Sequence, residues 1–319
     1  MNRPPNSVLH NNATPLNAYK NLLKALGKNT LKELYEKPIF IISAPRSGST
    51  LLFETLSKNT NLWTLGEECH TIYRAIPSLD PVHNNFDSGA LTAEQATPEV
   101  SNIVRAGFTM YLRNSGNARF VQLPDMIRPK KIRFLEKTPR NSLNIPFLNN
   151  IFPDASYIFL SRDAASNINS IIEAWGVGLQ DGSFVTFANL KDWELKHWCM
   201  LLPEGWRNYN GRSIAEIAAF QWKECNETIM RDLSLIPKDR KIHITYEELI
   251  SNPEQELKRL NDFCGISSGV EDIGLQDNKL PISKTTVSAP SPDKWKKRFD
   301  EINPLLADME ETESKLRNL

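Results

Sequence analysis

The feature that most restricts this chain is a series of short strand-like runs, the first of which, residues 39–42 (IFII), is apolar at every position. A strand with one wet face alternates polar and apolar residues, so an unbroken apolar run marks a strand covered on both faces, as in parallel sheets. Similar runs recur at residues 132–135 (IRFL), 157–160 (YIFL) and 242–245 (IHIT). Helical patterns separate them. Residues 18–36 read as one amphipathic helix through Leu22, Leu23, Leu26, Leu31 and Leu34. Residues 164–175 (AASNINSIIEAW) carry Ile168, Ile171, Ile172 and Trp175 at helical spacing, and residues 247–264 carry Leu249, Leu257, Leu260 and Phe263 before Gly265. Strands alternating with helices predict an α/β fold, an open parallel sheet with crossover helices on both faces.

The first run feeds a turn, FIISAPRSGSTLLFETL over residues 40–56, that opens a helix. Such a turn presents free backbone N–H groups and the positive helix end to an anion. Gly48 allows close backbone approach, while Ser47, Ser49 and Thr50 add hydroxyl donors. The pattern is P-loop-like, yet Ser43 stands where the nucleotide-triphosphate loop has its first glycine and Ser49 where it has lysine. The single cation is Arg46, ahead of the glycine, placed to neutralise charge at a bridging oxygen. The turn also fits an ordinary strand-to-helix connection with a surface arginine. A second cluster follows the third run: Arg162 at the strand end lies in the crevice where open α/β sheets bind ligands. Ser170 comes eight residues later, about 200° around the helix from Ile168, on the polar side. The plainer reading pairs Arg162 with Asp163 at a helix start.

Two long segments interrupt the alternation. Residues 80–128 are polar with some helical pattern, and residues 176–213 combine glycines with tryptophans, which favours a substrate lid. Residues 1–16 read as a loose lead-in to a single domain spanning 1–319. With 38 basic and 38 acidic residues the chain has no charge surplus for general nucleic-acid binding, so an anion site must be local. No stretch approaches the roughly 20 apolar residues of a membrane span. The four cysteines, Cys69, Cys199, Cys225 and Cys264, show no metal or disulfide spacing, which points to a reduced, cytoplasmic setting. The chain fits a free-standing protein and an excised domain of a larger synthase alike.

The motifs together resemble sulfotransferases that use 3′-phosphoadenosine 5′-phosphosulfate (PAPS). PRSGST resembles their 5′-phosphosulfate loop in its arginine version, and Arg162 with Ser170 resembles their 3′-phosphate site. TYEELISNPEQELKRLNDFCGI resembles the segment after the adenine-side strand, with Tyr246 at an adenine-contacting position. Leu51 departs from the adenine-stacking tryptophan of the steroid and phenol enzymes. Their C-terminal Arg-Lys-Gly element is not visible either; SAPSPDKWKKRF, with Lys294, Trp295 and Lys296, takes its place or forms an exposed basic helix. The resemblance implies PAPS as donor, in-line sulfuryl transfer to an acceptor hydroxyl, and no metal. LGEECHTIYR resembles the GEE stretch of the tyrosylprotein enzymes, whose second glutamate is the base, which makes Glu68 the first choice as base and His70 the second.

EKTPRNS, residues 136–142, offers Lys137 and Arg140 to the donor phosphates or to a loop ion pair. Among the other histidines His197 lies in the expected lid, His243 in a strand, and His10 and His83 lack supporting neighbours. HWCMLLPEGW, residues 197–206, is similar to a segment of the sulfotransferase domains in olefin-forming polyketide synthases, which implies a β-hydroxyl of a chain tethered to an acyl carrier protein as acceptor. A free alcohol or tyrosyl peptide is the alternative acceptor. A P-loop phosphotransferase and a non-enzymatic nucleotide-binding module are the rival classes.

Overall fold

The computed structural model describes residues 13–266 and 280–319. Much of the expected lead-in over 1–16, including His10, lies outside the described residues. Five strands, β1 (Ile39–Ile42), β2 (Leu62–Trp63), β3 (Arg133–Glu136), β4 (Ser156–Ser161) and β7 (Lys241–Thr245), form a parallel sheet in the order β2-β3-β1-β4-β7. β5 (Val185–Ala188) and β6 (His197–Cys199) make a separate antiparallel pair. The helices are α1 (Ala13–Leu26), α2 (Lys28–Leu34), α3 (Ser49–Leu56), α4 (His70–Arg74), α5 (Pro98–Tyr111), α6 (Ile145–Ile151), α7 (Ala164–Asp181), α8 (Ile214–Ser234), α9 (Tyr246–Ser251), α10 (Pro253–Cys264), α11 (Phe299–Leu306) and α12 (Glu310–Arg317).

The apolar run of β1 is buried at every position, and its alternate residues serve two different cores. Ile39 and Ile41 join Leu135, Ile158, Leu160 and Ile244 beneath α3, α9 and α10, through Leu52, Leu249 and Leu257. Phe40 and Ile42 join Phe134, Tyr157 and Phe159 on the opposite face, beneath α5, α7 and α8. A sheet covered on both faces needs apolar residues of both parities, which is why the run shows no alternation.

Three sequence expectations are corrected. The helix expected over 18–36 is two helices, the first starting within the expected lead-in at Ala13, and they break at Gly27 with φ +81°. The heptad-like leucines run across the break because α1 and α2 both pack on α5. The helix expected over 247–264 breaks at Asn252, where Pro253 opens α10 and cannot donate an N–H back to α9. The segment expected as a lid from residue 176 is helical at its start, because α7 continues to Asp181 and Gly182 caps it in the left-handed region.

That insertion is packed rather than free-standing. Trp175, Trp193, Trp198 and Trp206 contact one another edge to face, with ring centroids 5.0–5.4 Å apart. Gln221 of α8 accepts from Trp175 Nε1 at 2.8 Å and donates to the carbonyls of Cys199 and Leu201 at 2.9 Å. Gly178 lets the hairpin close on α7, since a Cβ there would stand 2.4 Å from Cys199 Sγ and 2.7 Å from the Ser183 carbonyl.

Candidate active site

The turn between β1 and α3 is locked from α7. Ser47 Oγ donates to Asn167 Oδ1 at 2.7 Å, and Asn167 Nδ2 donates to the Pro45 carbonyl at 2.8 Å. Arg46 has φ +66° and Gly48 φ +94°, so two residues of the turn hold left-handed backbone. Only glycine adopts that region without strain, and Arg46 adopts it against its preference. The turn opens on a cavity of about 590 Å³ lined by Arg46, Gly48, Ser49 and Thr50.

The second cation cluster lines the same cavity. Arg162, just past β4, donates from Nη1 to the Arg46 carbonyl at 3.2 Å, and its guanidinium lies over the Tyr246 ring, 4.5 Å from the centroid. No Arg162–Asp163 ion pair forms among the described residues; Asp163 instead caps α7 by accepting from Ser166 N at 2.8 Å. Ser166, Asn169, Ser170 and Glu173 of α7 complete this wall. Burial and then the neighbouring Arg162 hold the Arg46 guanidinium below its ordinary pKa, with Glu173 opposing. Both Nε atoms, of Arg46 and Arg162, are buried without a hydrogen-bond partner.

Tyr246 stands against Gly48 on one side and Arg162 on the other. A Cβ at residue 48 would lie 2.5 Å from Tyr246 Cδ2 and 2.7 Å from Cε2. Gly48→Ala therefore pushes the ring into Arg162 and adds left-handed strain. The expected result is a loss of about 1–3 kcal/mol of stability, read by denaturant unfolding, together with weaker binding of adenosine 3′,5′-bisphosphate (PAP). An unchanged melt and unchanged affinity would contradict this packing.

Opposite the turn, Glu68 and His70 face the cavity from the loop before α4 and its first residue. Lys137 Nζ donates to Glu68 Oε1 at 2.9 Å, and His70 Nδ1 lies 3.5 Å from Glu68 Oε2, too far for a full hydrogen bond. Burial raises the Glu68 pKa, but the His70 imidazole and the Lys137 ammonium outweigh it and hold the carboxyl at about 2. Burial also lowers the His70 pKa below 6.5, against the pull of Glu68. The loop is held from beneath: Thr138 Oγ1 accepts from Cys69 N at 2.8 Å and donates to buried Glu136, which also accepts from Asn141 Nδ2 at 2.7 Å.

At neutral pH the pair is thus carboxylate plus uncharged imidazole. Because protonating His70 is what abolishes a proton-accepting pair, the acid limb of kcat/KM is expected below pH 6.5, with a plateau from there through neutrality. A midpoint at or above 6.5 would contradict the burial effect.

All the residues expected from sequence, Arg46, Ser47, Gly48, Ser49, Thr50, Glu68, His70, Arg162, Ser170 and Tyr246, fall in this one region; Ser47 alone is turned away, onto Asn167. EKTPRNS divides: Lys137 is spent on Glu68, while Arg140 lines the cavity. Lys294 and Trp295 line it too, but Lys294 pairs with Glu173 at 2.7 Å and Lys296 pairs with Asp293 at 2.7 Å outside it. His197 lies in β6 away from the cavity, and His243 Nε2 is 2.8 Å from Ser161 Oγ within the sheet, its pKa lowered to about 4 by burial. Sequence reasoning missed residues 280–287, which line the cavity ahead of the SAPSPDKWKKRF stretch and place the Thr285 carbonyl 2.9 Å from Arg46 Nη2. That run has no periodicity to flag it. Phe184, under the Arg46 guanidinium at 5.0 Å, was also unmarked.

A parallel sheet whose first strand runs through a glycine turn into a helix, with arginines at two strand ends, defines an α/β enzyme class that binds phosphate-bearing ligands at the carboxyl edge. The chain belongs to the sulfotransferase family, whose model matches residues 38–272. It is 22% identical over 230 residues to protein-tyrosine sulfotransferase A of Caenorhabditis elegans, covering 72% of this chain and 50% of that protein. The chain spans about half the length of the curated relatives it matches. The crystal structure of a Mycobacterium avium sulfotransferase superposes with a TM-score of 0.51 at 16% identity, covering 94% of this chain and 83% of that one. The sulfotransferase domain from the Synechococcus PCC 7002 olefin synthase gives a TM-score of 0.45 at 20% identity, covering 82% and 88%.

Proposed function

We propose that the protein moves a sulfuryl group from PAPS to an acceptor hydroxyl. The observation that carries this reading is that the Arg46 turn and the Arg162–Ser170 cluster line a single cavity of about 590 Å³, room for one bisphosphorylated nucleoside to touch both. The unpartnered buried Nε atoms of Arg46 and Arg162 fit such an anion.

PAPS supplies an SO₃ group on a phosphate whose bridging S–O bond breaks with its electron pair left on phosphate. Arg46 and the amides at the start of α3 stabilise the charge gathering there. Ser49 and Thr50 hold the same group by hydroxyl donation. Arg162, with Ser170, binds the 3′-phosphate, and Tyr246 keeps Arg162 aimed while meeting the adenine side. The acceptor oxygen forms the new S–O bond, and its proton passes to the Glu68–His70 pair.

The acceptor we propose is the β-hydroxyl of an acyl chain tethered to a carrier protein. Phe184, Val185, Met200 and Leu201 give the cavity an apolar wall suited to such a chain, and Met200 and Leu201 belong to the HWCMLLPEGW segment. A tyrosyl peptide is the second reading, favoured by the protein-tyrosine sulfotransferases among the relatives. We place the chain as one domain in the cytoplasm: its larger core runs from Tyr19 to Leu316, and its four cysteines are buried and unpaired. No helix among the described residues is long and apolar enough to cross a membrane.

The test offers the purified protein PAPS with free alcohols, phenols, tyrosyl peptides and carrier-bound β-hydroxyacyl chains, and looks for added SO₃ by mass spectrometry. Sulfation of the carrier-bound chain is expected. Reaction of phenols or peptides alone removes the carrier-bound acceptor, and transfer to no acceptor removes the activity.

A further inference from the structure

Arg140 is a cation that the scheme above leaves unused. It lines the main cavity beside Glu68 and His70, and together with His70, Thr186 and Leu201 it also lines a second, smaller cavity of about 40 Å³. Its Nη2 donates to Thr186 Oγ1 at 3.0 Å, and Arg74 Nη2 donates to the Thr186 carbonyl at 3.1 Å, so two guanidinium groups converge on one residue of β5. Among the described residues Arg140 makes no salt bridge. The nearby carboxylate, Glu68, already has Lys137 on one oxygen and faces His70 with the other. Burial and then Arg74 lower the Arg140 pKa to about 10, and Glu68 offsets this only in part. A guanidinium held this way retains donors and positive potential toward the cavity, and a buried charge is normally paired.

Its position restricts what it binds. Arg140 adjoins the proton-accepting pair, so its ligand atom belongs to the acceptor and lies only a few bonds from the reacting hydroxyl. A multiply charged group there would leave excess negative charge to repel the incoming SO₃, whereas a carbonyl dipole adds none and a single carboxylate is offset by the one guanidinium of Arg140. The adjoining Val185, Met200 and Leu201 are suited to an alkyl chain and to no further charge. Building on the sulfuryl-transfer reading, we propose that Arg140 is a specificity residue that binds the acyl oxygen of a 3-hydroxyacyl acceptor, an oxygen supplied either by a thioester carbonyl or by a free carboxylate.

The experiment measures kcat/KM with saturating PAPS for three matched acceptors: a 3-hydroxyacyl pantetheine thioester, the free 3-hydroxy acid, and a secondary alcohol of equal length without the acyl oxygen. The wild type is expected to favour an acyl acceptor over the alcohol, and whichever of the two acyl forms it favours names the source of the oxygen. Arg140→Met should cut that acyl-to-alcohol ratio by about 10–100-fold. Arg140→Lys, which keeps the charge without the fork, should restore part of it, with PAP affinity serving as the check that both variants fold. A ratio within threefold of wild type in both variants, or a wild type indifferent to the acyl oxygen, overturns the proposal while sulfuryl transfer stands. A wild type that sulfates nothing in the broader acceptor panel overturns the transfer reading itself.

Discussion

Arg46→Ala is expected to lower kcat for sulfuryl transfer by about 10²–10³-fold, the range for removing one donor aimed at developing charge. Three features of the residue lead to this figure. It extends from a turn fixed by Ser47 and Asn167, its guanidinium lies over Phe184, and its Nη2 is held at 2.9 Å by the Thr285 carbonyl. Little freedom remains to be lost when charge appears beside it, so its contribution falls on the transition state. Arg46→Lys should recover only part of the rate, because an ammonium cannot donate to Thr285 and to the leaving oxygen from one rigid fork. The left-handed backbone at Arg46 gains no relief from alanine, so the melting temperature is expected to stay near wild type while kcat falls. A variant retaining more than a tenth of the rate would show that the α3 amides suffice.

The second large effect lies across the cavity. Glu68→Gln and His70→Ala are each expected to reduce kcat by about 10²–10⁴-fold, and the double variant to be no slower than the slower single one. Non-additivity follows from the geometry. Neither group is a good base alone: the carboxyl, at about 2, is a weak proton acceptor, and burial lowers the imidazole's pKa and so weakens its hold on a proton. Held 3.5 Å apart, the two share the charge that arrives with the proton. Fully additive losses would mean that the residues act separately. Lys137→Met provides a related check: without the ammonium at 2.9 Å, the Glu68 pKa should rise and a new acid limb should enter the rate profile.

The site was legible in its parts. The turn 43–50 and the 162–170 pair could be read because a strand end, a glycine and a helical offset place each group relative to its own neighbours, and these are local distances. The Lys137–Glu68 bridge could not be read, since those residues are 69 apart in sequence and meet only because β3 and the loop before α4 converge at one sheet edge. Thr285 reaches Arg46 across a separation of 239 residues, from a stretch with no apolar rhythm. β2 escaped notice because two residues carry too little pattern. The Gly27 break was hidden because both helices bury leucines on α5, so the rhythm survives the change of direction.

What the sequence determined by itself was the sheet buried on both faces, the glycine turn from strand to helix and the resemblance to the family that these carry, because burial parity and turn chemistry are encoded within a few consecutive residues. The tertiary structure alone decided which cation answers which carboxylate, that the tryptophan-rich insertion packs as part of the core, and that Arg140 lines the same cavity as Glu68 and His70. Electrostatic pairing and side-chain contact depend on separations of a few ångströms, and between residues distant along the chain only packing sets those separations.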